Sequence, residues 1–313
     1  MKKLLSCILF LCLTAAAFCY EPVKYIFDDG TYRREVTVKK SPEKAITLSQ
    51  FMTETLLALG LQDKMIGTAL ATGEILPEYK AAYDKIPILQ MGEGHSVSKE
   101  AFISMGADFV SGWEQSISEE STGSLEELEK RGVVPFVSNG LSNTATIETV
   151  YDDFRLLGRI FDVPEKAEEV VAKMQATVKP IAEKTKNIPD KDRLKVLIYD
   201  SGESEAFVGG AGLPTDIIRL AGGKNIFSDL DVDYGMVSFE SILDRDPDVI
   251  VVTEYASGLP ADKKIEIFKK IPGVKELKAV KNNRIYVLNL VELAPGIRNA
   301  ATVEKLYNMF YGK

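Results

Sequence analysis

Two serines 140 positions apart each stand two residues ahead of a glutamate and ten ahead of an aspartate. Val97-Ser98-Lys99-Glu100-Ala101-Phe102-Ile103 leads to Asp108-Phe109-Val110, and Val237-Ser238-Phe239-Glu240-Ser241-Ile242-Leu243 leads to Asp248-Val249-Ile250. In each copy the serine reads as a helix N-cap and the glutamate falls in the first turn, where the helix dipole favours a carboxylate. The aspartate then opens a strand. Glu100 and Glu240 are therefore expected at matching places on two similar lobes, exposed and held at fixed geometry.

A second set of residues follows the expected strands. Open parallel sheets bind ligands beyond the carboxyl ends of their strands, and in a two-lobed protein those ends can face each other across a cleft. Gln50 and Phe51 follow Leu48, Trp113 and Glu114 follow Phe109-Val110, Tyr199 and Asp200 follow Leu197-Ile198, and Glu254 and Tyr255 follow Val251-Val252. Tyr234 precedes the second copy of the repeat, and His95 lies in a Gly92-Glu93-Gly94-His95-Ser96 loop. Aromatic faces beside carboxylates and amides suit a bulky organic ligand with a few polar handles. An aromatic at a strand end also serves as a lid on the core, and both readings stand open for each.

Catalytic constellations are scarce. His95 is the one histidine, with no Gly-x-Ser-x-Gly elbow, no HExxH pair and no cysteine beyond Cys19 to partner it. Nucleophile–base and zinc arrangements thus lack a second member, and bare zinc or manganese is disfavoured as cargo. Gly209-Gly210-Ala211-Gly212-Leu213-Pro214 lacks the spacing of a nucleotide loop and reads as a turn feeding Pro214 into a helix. Gly222-Gly223 reads as a helix C-cap. The expectation is binding without catalysis and no cofactor.

Strand and helix patterns alternate in the elements that must position these residues. A hairpin turns at Asp28-Asp29-Gly30 between residues 25 and 38. Strands at 45–48, 65–68, 108–112 and 134–137 alternate with helices at 53–59, 99–105 and 125–130. Helical spacing then runs through 147–161 and 165–186 without a strand. Alternation resumes with strands at 196–199, 249–252 and 285–288 and helices at 215–220, 239–243, 265–271 and 300–311. This is an α/β fold: two lobes with parallel-type sheets, joined by a long connector helix, with a cleft between them. The expected division is 1–19 leader, 20–150 first α/β lobe, 151–189 helical connector and 190–313 second α/β lobe. One stiff crossing predicts small closure.

The leader reading rests on Met1-Lys2-Lys3, an apolar run from Leu4 to Leu13 and small residues at 14–17, the order of a secretory signal. An exported protein follows, in the periplasm or at the outer face of the cytoplasmic membrane. Cys19 is a candidate for acylation as a lipoprotein anchor, with ordinary cleavage after Ala17 or Cys19 as the alternative. All three cysteines lie at or before position 19, which leaves no disulfide to hold the mature fold. The net charge of −8 and the lack of a basic run argue against nucleic acid and direct binding to anionic lipid.

Several segments in order carry a family resemblance over nearly all of the mature chain. Ala45-Ile46-Thr47-Leu48-Ser49 through Leu59-Gly60, Leu156-Leu157-Gly158 with Ala167-Glu168-Glu169, Leu220-Ala221-Gly222-Gly223-Lys224-Asn225-Ile226-Phe227, Asp246-Pro247-Asp248-Val249-Ile250 and Lys278-Ala279-Val280-Lys281-Asn282-Asn283-Arg284-Ile285-Tyr286 are similar to helical-backbone (class III) solute-binding proteins of ABC importers. Those proteins serve ferric siderophores, haem and cobalamin. The resemblance implies a monomer that delivers a small-molecule metal chelate to a permease dimer, with Glu100 and Glu240 at the positions that pair with permease arginines. Asn283 replaces a common glycine, and asparagine enters the left-handed region readily. With Glu114, Asp200 and Glu254 at strand ends and Arg298 as the available cation, the chelate is expected to be neutral or weakly charged, such as a hydroxamate siderophore, with haem or cobalamin behind it. An exported chelate-modifying hydrolase on the same scaffold is the competing enzyme reading.

Overall fold

The computed structural model describes residues 20–90 and 97–312. The leader, Cys19 and His95 lie outside them. The chain enters through a hairpin, β1 (Val23–Asp28) and β2 (Arg33–Val38), paired antiparallel from Val23–Val38 to Asp28–Arg33. Its turn is built as the residues suggest: Gly30 takes φ +80°, and the Asp29 carboxylate accepts from the Thr31 and Tyr32 amides. Val23, Tyr25 and Phe27 alternate inward.

The first lobe follows as β3 (Ala45–Leu48), α1 (Gln50–Ala58), β4 (Met65–Thr68), α2 (Pro77–Tyr83), α3 (Lys99–Met105), β5 (Phe109–Gly112), α4 (Leu125–Arg131) and β6 (Val134–Val137). Its sheet runs β4-β3-β5-β6, all parallel. Every residue of β3 and β5 is buried, because helices cover both faces of a parallel sheet. Two helices without an intervening strand come next, α5 (Ile147–Ile160) and α6 (Pro164–Thr185). They pack closely at Gly158, where any side chain would collide with Ala167.

The second lobe comprises β7 (Leu194–Ser201), β8 (Ala206–Gly209), α7 (Leu213–Leu220), β9 (Gly223–Asn225), β10 (Tyr234–Val237), α8 (Phe239–Arg245), β11 (Val249–Glu254), α9 (Ala261–Lys270), α10 (Lys278–Lys281), β12 (Ile285–Asn289), α11 (Leu290–Leu293) and α12 (Asn299–Tyr311). Its sheet runs β10-β8-β7-β11-β12, with β9 also on β7. Strands β7, β9, β11 and β12 are parallel, whereas β8 runs antiparallel to both of its neighbours, β7 and β10. The sequence pattern did not anticipate β8, β9 or β10. Gly223 opens β9, so only Gly222, at φ +92° after the last turn of α7, matches the expected cap.

Period-two alternation sorts the second sheet between two apolar clusters. Val196 and Ile198 of β7 and Val249 and Val251 of β11 join a cluster that continues through α5 and α6 into the first lobe. Leu197, Tyr199, Ile250 and Val252 face the opposite way, onto Phe239 and Phe268. α6 packs on both α5 and α12, and a shared core therefore backs both lobes.

Candidate functional site

The repeated segment folds the same way twice. Ser98 and Ser238 are N-caps in extended backbone, and their hydroxyls accept from the third helical amide, Ala101 N–H at 3.1 Å and Ser241 N–H at 3.2 Å. Glu100 and Glu240 are each the second residue of a seven-residue helix, and both are exposed. Each helix ends on a left-handed residue, Gly106 or Asp246. The aspartates have one task in both copies: Asp108 accepts from the Glu43 and Lys44 amides, and Asp248 accepts from the Lys195 amide at 2.9 Å. Their own amides return bonds to the Lys44 and Lys195 carbonyls. Each aspartate thereby ties the start of its strand to the neighbouring one.

Between the lobes lies a narrow gap of about 30 Å³. Trp113 and the Gly140–Ser142 loop wall it from the first lobe. Leu213, Pro214, Asp233 and Tyr234 wall it from the second, together with Leu290 and residues 293–295. The Trp113 ring stands edge-on to Phe51, with centroids 4.7 Å apart. Tyr234 packs on Phe207 at 5.6 Å, and its hydroxyl is buried without a hydrogen-bond partner among the described residues. Glu114 sits beside Trp113, half-buried; burial, then Asp233, Asp29 and Asp28, push its carboxyl above the usual range.

The loop after β6 belongs to this site but was missed in the sequence, although the rule that found Trp113 applies equally to Ser138-Asn139-Gly140. Buried Asp153 of α5 positions it, accepting from Ser138 Oγ at 2.5 Å, Asn139 Nδ2 at 2.7 Å and the Gly140 amide at 3.3 Å. Burial pushes the Asp153 carboxyl up to about 6 despite those bonds. Pro295 packs so closely on Gly140 that a side chain there would collide.

Several expected ligand residues make their hydrogen bonds within the protein. Gln50 starts α1, three residues before the expected helix, because Ser49 caps it. Its carbonyl accepts from the Thr72 and Gly73 amides, both at 2.8 Å, and its amino group donates to Glu54 and to the Glu74 carbonyl. No donor or acceptor remains for a ligand. Phe51 is buried beneath Trp113. Arg298 is not a free cation: Nε and Nη2 each lie 2.6 Å from a Glu54 oxygen, and Nη2 also donates to the Glu74 carbonyl. The Glu54 side chain is 1% exposed and that of Arg298 15%, so this is a buried bidentate pair joining the lobes.

The second-lobe candidates form their own closed network. Tyr199 is a core residue whose hydroxyl donates to the Gly202 carbonyl at 2.8 Å. Asp200 is buried, accepting from Ser201 Oγ and Thr253 Oγ1, with Lys264 Nζ 3.7 Å away. Lys264, unremarkable in the sequence, is 2% exposed and donates to the Thr253 carbonyl at 2.8 Å. Glu254 accepts from the Ala261 amide at the start of α9, and the Tyr255 ring lies 4.6 Å from Lys264 Nζ. Trp113 and Tyr234 are thus the expected residues that line the gap, with Glu114 next to Trp113 in the chain.

Loop 69–76 crosses to the second lobe as well, with the Thr72 carbonyl accepting from the Ala256 amide at 2.8 Å and from Asn289 Nδ2 at 3.1 Å. No helix among the described residues is long and apolar enough to cross a membrane, and no group of three His, Cys, Asp or Glu among them could hold a metal ion.

The family model described as periplasmic binding protein matches residues 46–290, from β3 to the first residue of α11. The chain belongs to this family. Its helical backbone and two sheets make it a solute-binding protein of the class III type. A periplasmic binding protein from Veillonella parvula is similar in structure, at 33% identity and a TM-score of 0.84, covering 94% of this chain and 99% of that one. An uncharacterized ABC transporter substrate-binding lipoprotein of Bacillus subtilis is 26% identical over 259 residues, 82% of this chain and 76% of its own. A vitamin B12-binding protein of Vibrio campbellii is 25% identical over 267 residues, 84% and 86% of the two chains. Substrate-binding proteins of ABC importers bind small molecules and work with a permease, and members of this family are solute-binding proteins rather than enzymes.

Proposed function

We propose that this periplasmic binding protein captures an iron chelate of the ferric-siderophore class between its lobes and delivers it to an ABC permease dimer. The observation that carries the proposal is the inter-lobe gap itself. It has an indole, a buried unsatisfied phenol and small apolar side chains for walls, contributed by both lobes. Such a surface suits a bulky organic ligand offering oxygen acceptors and apolar faces. Glu100 and Glu240, capped alike on matched helices, are the permease contacts, since arginine–carboxylate pairing is strong and directional.

Ligand pockets of this kind measure about 300–1,000 Å³, whereas the gap holds about 30 Å³. The lobes or their loops must therefore part to admit a chelate. The Asn143–Asp231 bonds across the rim, at 3.1 and 3.2 Å and exposed, are the contacts most easily exchanged for water.

A corrinoid is the second reading, favoured by the vitamin B12-binding relative. The protein acts outside the cytoplasm after loss of its leader, and Cys19 anchors it by acylation, as the lipoprotein relative suggests. Titration of intrinsic Trp113 fluorescence with ferric siderophores, haem and cobalamin tests the binding reading. Quenching by one coloured complex at micromolar concentration or below is expected, lost or weakened in Trp113→Phe followed by calorimetry. No response to any member, with unchanged Trp113→Phe, overturns it.

A further inference from the structure

The walls of the gap are electrically one-sided. Among the described residues lining it, Asp233 is the one charged side chain. Glu114 stands on the opposite lobe, half-buried and directly after the wall residue Trp113 though not itself part of the wall, and, after burial, Asp233 is among the carboxylates that raise its pKa. Neither carboxylate has a Lys or Arg within salt-bridge distance among the described residues; the hairpin tip adds Asp29 and Asp28, the latter 3.8 Å from Arg33. The arginine that sequence reasoning placed here, Arg298, is neutralised by Glu54. Lys264, a buried cation of the second lobe, is turned inward onto the Thr253 carbonyl and Asp200. The Tyr234 hydroxyl is buried at the wall without a partner, a neutral donor for an oxygen of whatever enters.

From this arrangement we infer that the cleft selects its cargo by charge: Glu114 and Asp233, one from each lobe, read a positive charge on the ligand and exclude anionic chelates. The inference rests on the reading of the gap as the chelate site and names the class of chelate it takes. A cation lying between the two carboxylates is attracted by both, and it removes the repulsion that opposes bringing the lobes together. A trianionic complex meets the same two charges with repulsion in place of attraction.

The test uses a matched pair of chelates and the full mature chain. One ligand is a ferric linear trihydroxamate with a free terminal ammonium, net charge +1; the second is the same molecule with that amine acetylated, net charge zero; the third is a ferric tricatecholate, net charge −3. Calorimetric dissociation constants are expected to favour the ammonium form by about tenfold, as two partly screened carboxylates would give, with no detectable tricatecholate binding. In Glu114→Gln/Asp233→Asn the ammonium and acetylated forms should bind alike, with the acetylated form within twofold of its parent affinity. Both residues are partly or fully exposed and these changes preserve shape, so folding is not at stake. Equal parental affinity for the paired ligands, or tighter binding of the tricatecholate, overturns the charge rule while the chelate reading stands. If none of the three binds, the siderophore reading falls. The charge rule is then decided by cobalamins carrying axial water (cationic) or cyanide (neutral): preference for the cation supports it, and indifference or no binding overturns it.

Discussion

The two lobes place the same helix and the same glutamate with different sheets behind them. In the first lobe, four parallel strands are buried on both faces, and the Asp108 carboxylate ties two successive amides. In the second, antiparallel strands β8 and β10 extend the sheet, and Asp248 ties one amide. The caps are nevertheless alike to within 0.1 Å. What the copies share is the presentation of an exposed carboxylate; what differs lies toward the gap, where Trp113 meets Tyr234 and Asp233. The two capped helices and the strand ends therefore answer to different constraints.

The strongest asymmetry among the described residues is that a buried charge of the first lobe, Glu54, is met by an arginine of the second, Arg298. Removing one partner of such a pair leaves an uncompensated charge in the interior, and Glu54→Ala should cost about 3–5 kcal/mol in urea unfolding. Replacing Glu54 and Arg298 together by apolar residues of similar volume should recover much of that loss. If Glu54→Ala is neutral, the two lobes are not coupled through this pair.

A second contrast is between the loops that flank the gap. The first-lobe loop is held by the Asp153 carboxyl, and the α11 turn of the second by the neutral Asn289 side chain. Because burial raises the Asp153 value from 3.8 to about 6, the folded state binds its proton more tightly than the unfolded chain. Stability from this group is therefore fully present below about pH 4 and lost as pH rises through about 6, by roughly 2–3 kcal/mol. Denaturant melts from pH 4 to 7 on the parent and Asp153→Asn should differ by that slope. Parallel curves would place the Asp153 proton elsewhere.

The aspartate anchors sharpen the comparison further. Asp108→Ala should destabilise by about 2 kcal/mol and Asp248→Ala by about 1, following the number of backbone donors each leaves unsatisfied. Equal losses would mean that the second amide bond of Asp108 contributes nothing. Smallest of all should be Glu100→Ala and Glu240→Ala, each changing stability by less than about 1 kcal/mol, since exposed first-turn carboxylates gain only from the helix dipole.

Local patterns were legible where one signal dominated. β3, β4, β6 and α3 were read to the residue, since short apolar runs end at polar residues and α3 has both caps in sequence. Asn283 takes φ +53°, as its substitution for glycine suggested. The short strands β8 to β10 were hidden, because three or four residues interrupted by glycine carry too little periodicity, and antiparallel edges need no helix before them. The polar residues after Leu48 looked like ligand groups because they stand at a strand end. Their partners were invisible: Glu54 and Arg298 are 244 positions apart, and the loop that saturates Gln50 lies more than 20 residues on. Nothing in the sequence marked Asp153 or Lys264, because it is the packing of α5 and α9 that buries them.

The claim that both lobes address a permease through one carboxylate each is tested most directly by uptake. Cells expressing Glu100→Ala/Glu240→Ala as their only copy would be given the chelate that quenches Trp113, labelled in its metal, while the affinity of the purified variant is measured in parallel. The account predicts parental affinity with transport reduced to background. Transport at the parental rate by the double variant would contradict it.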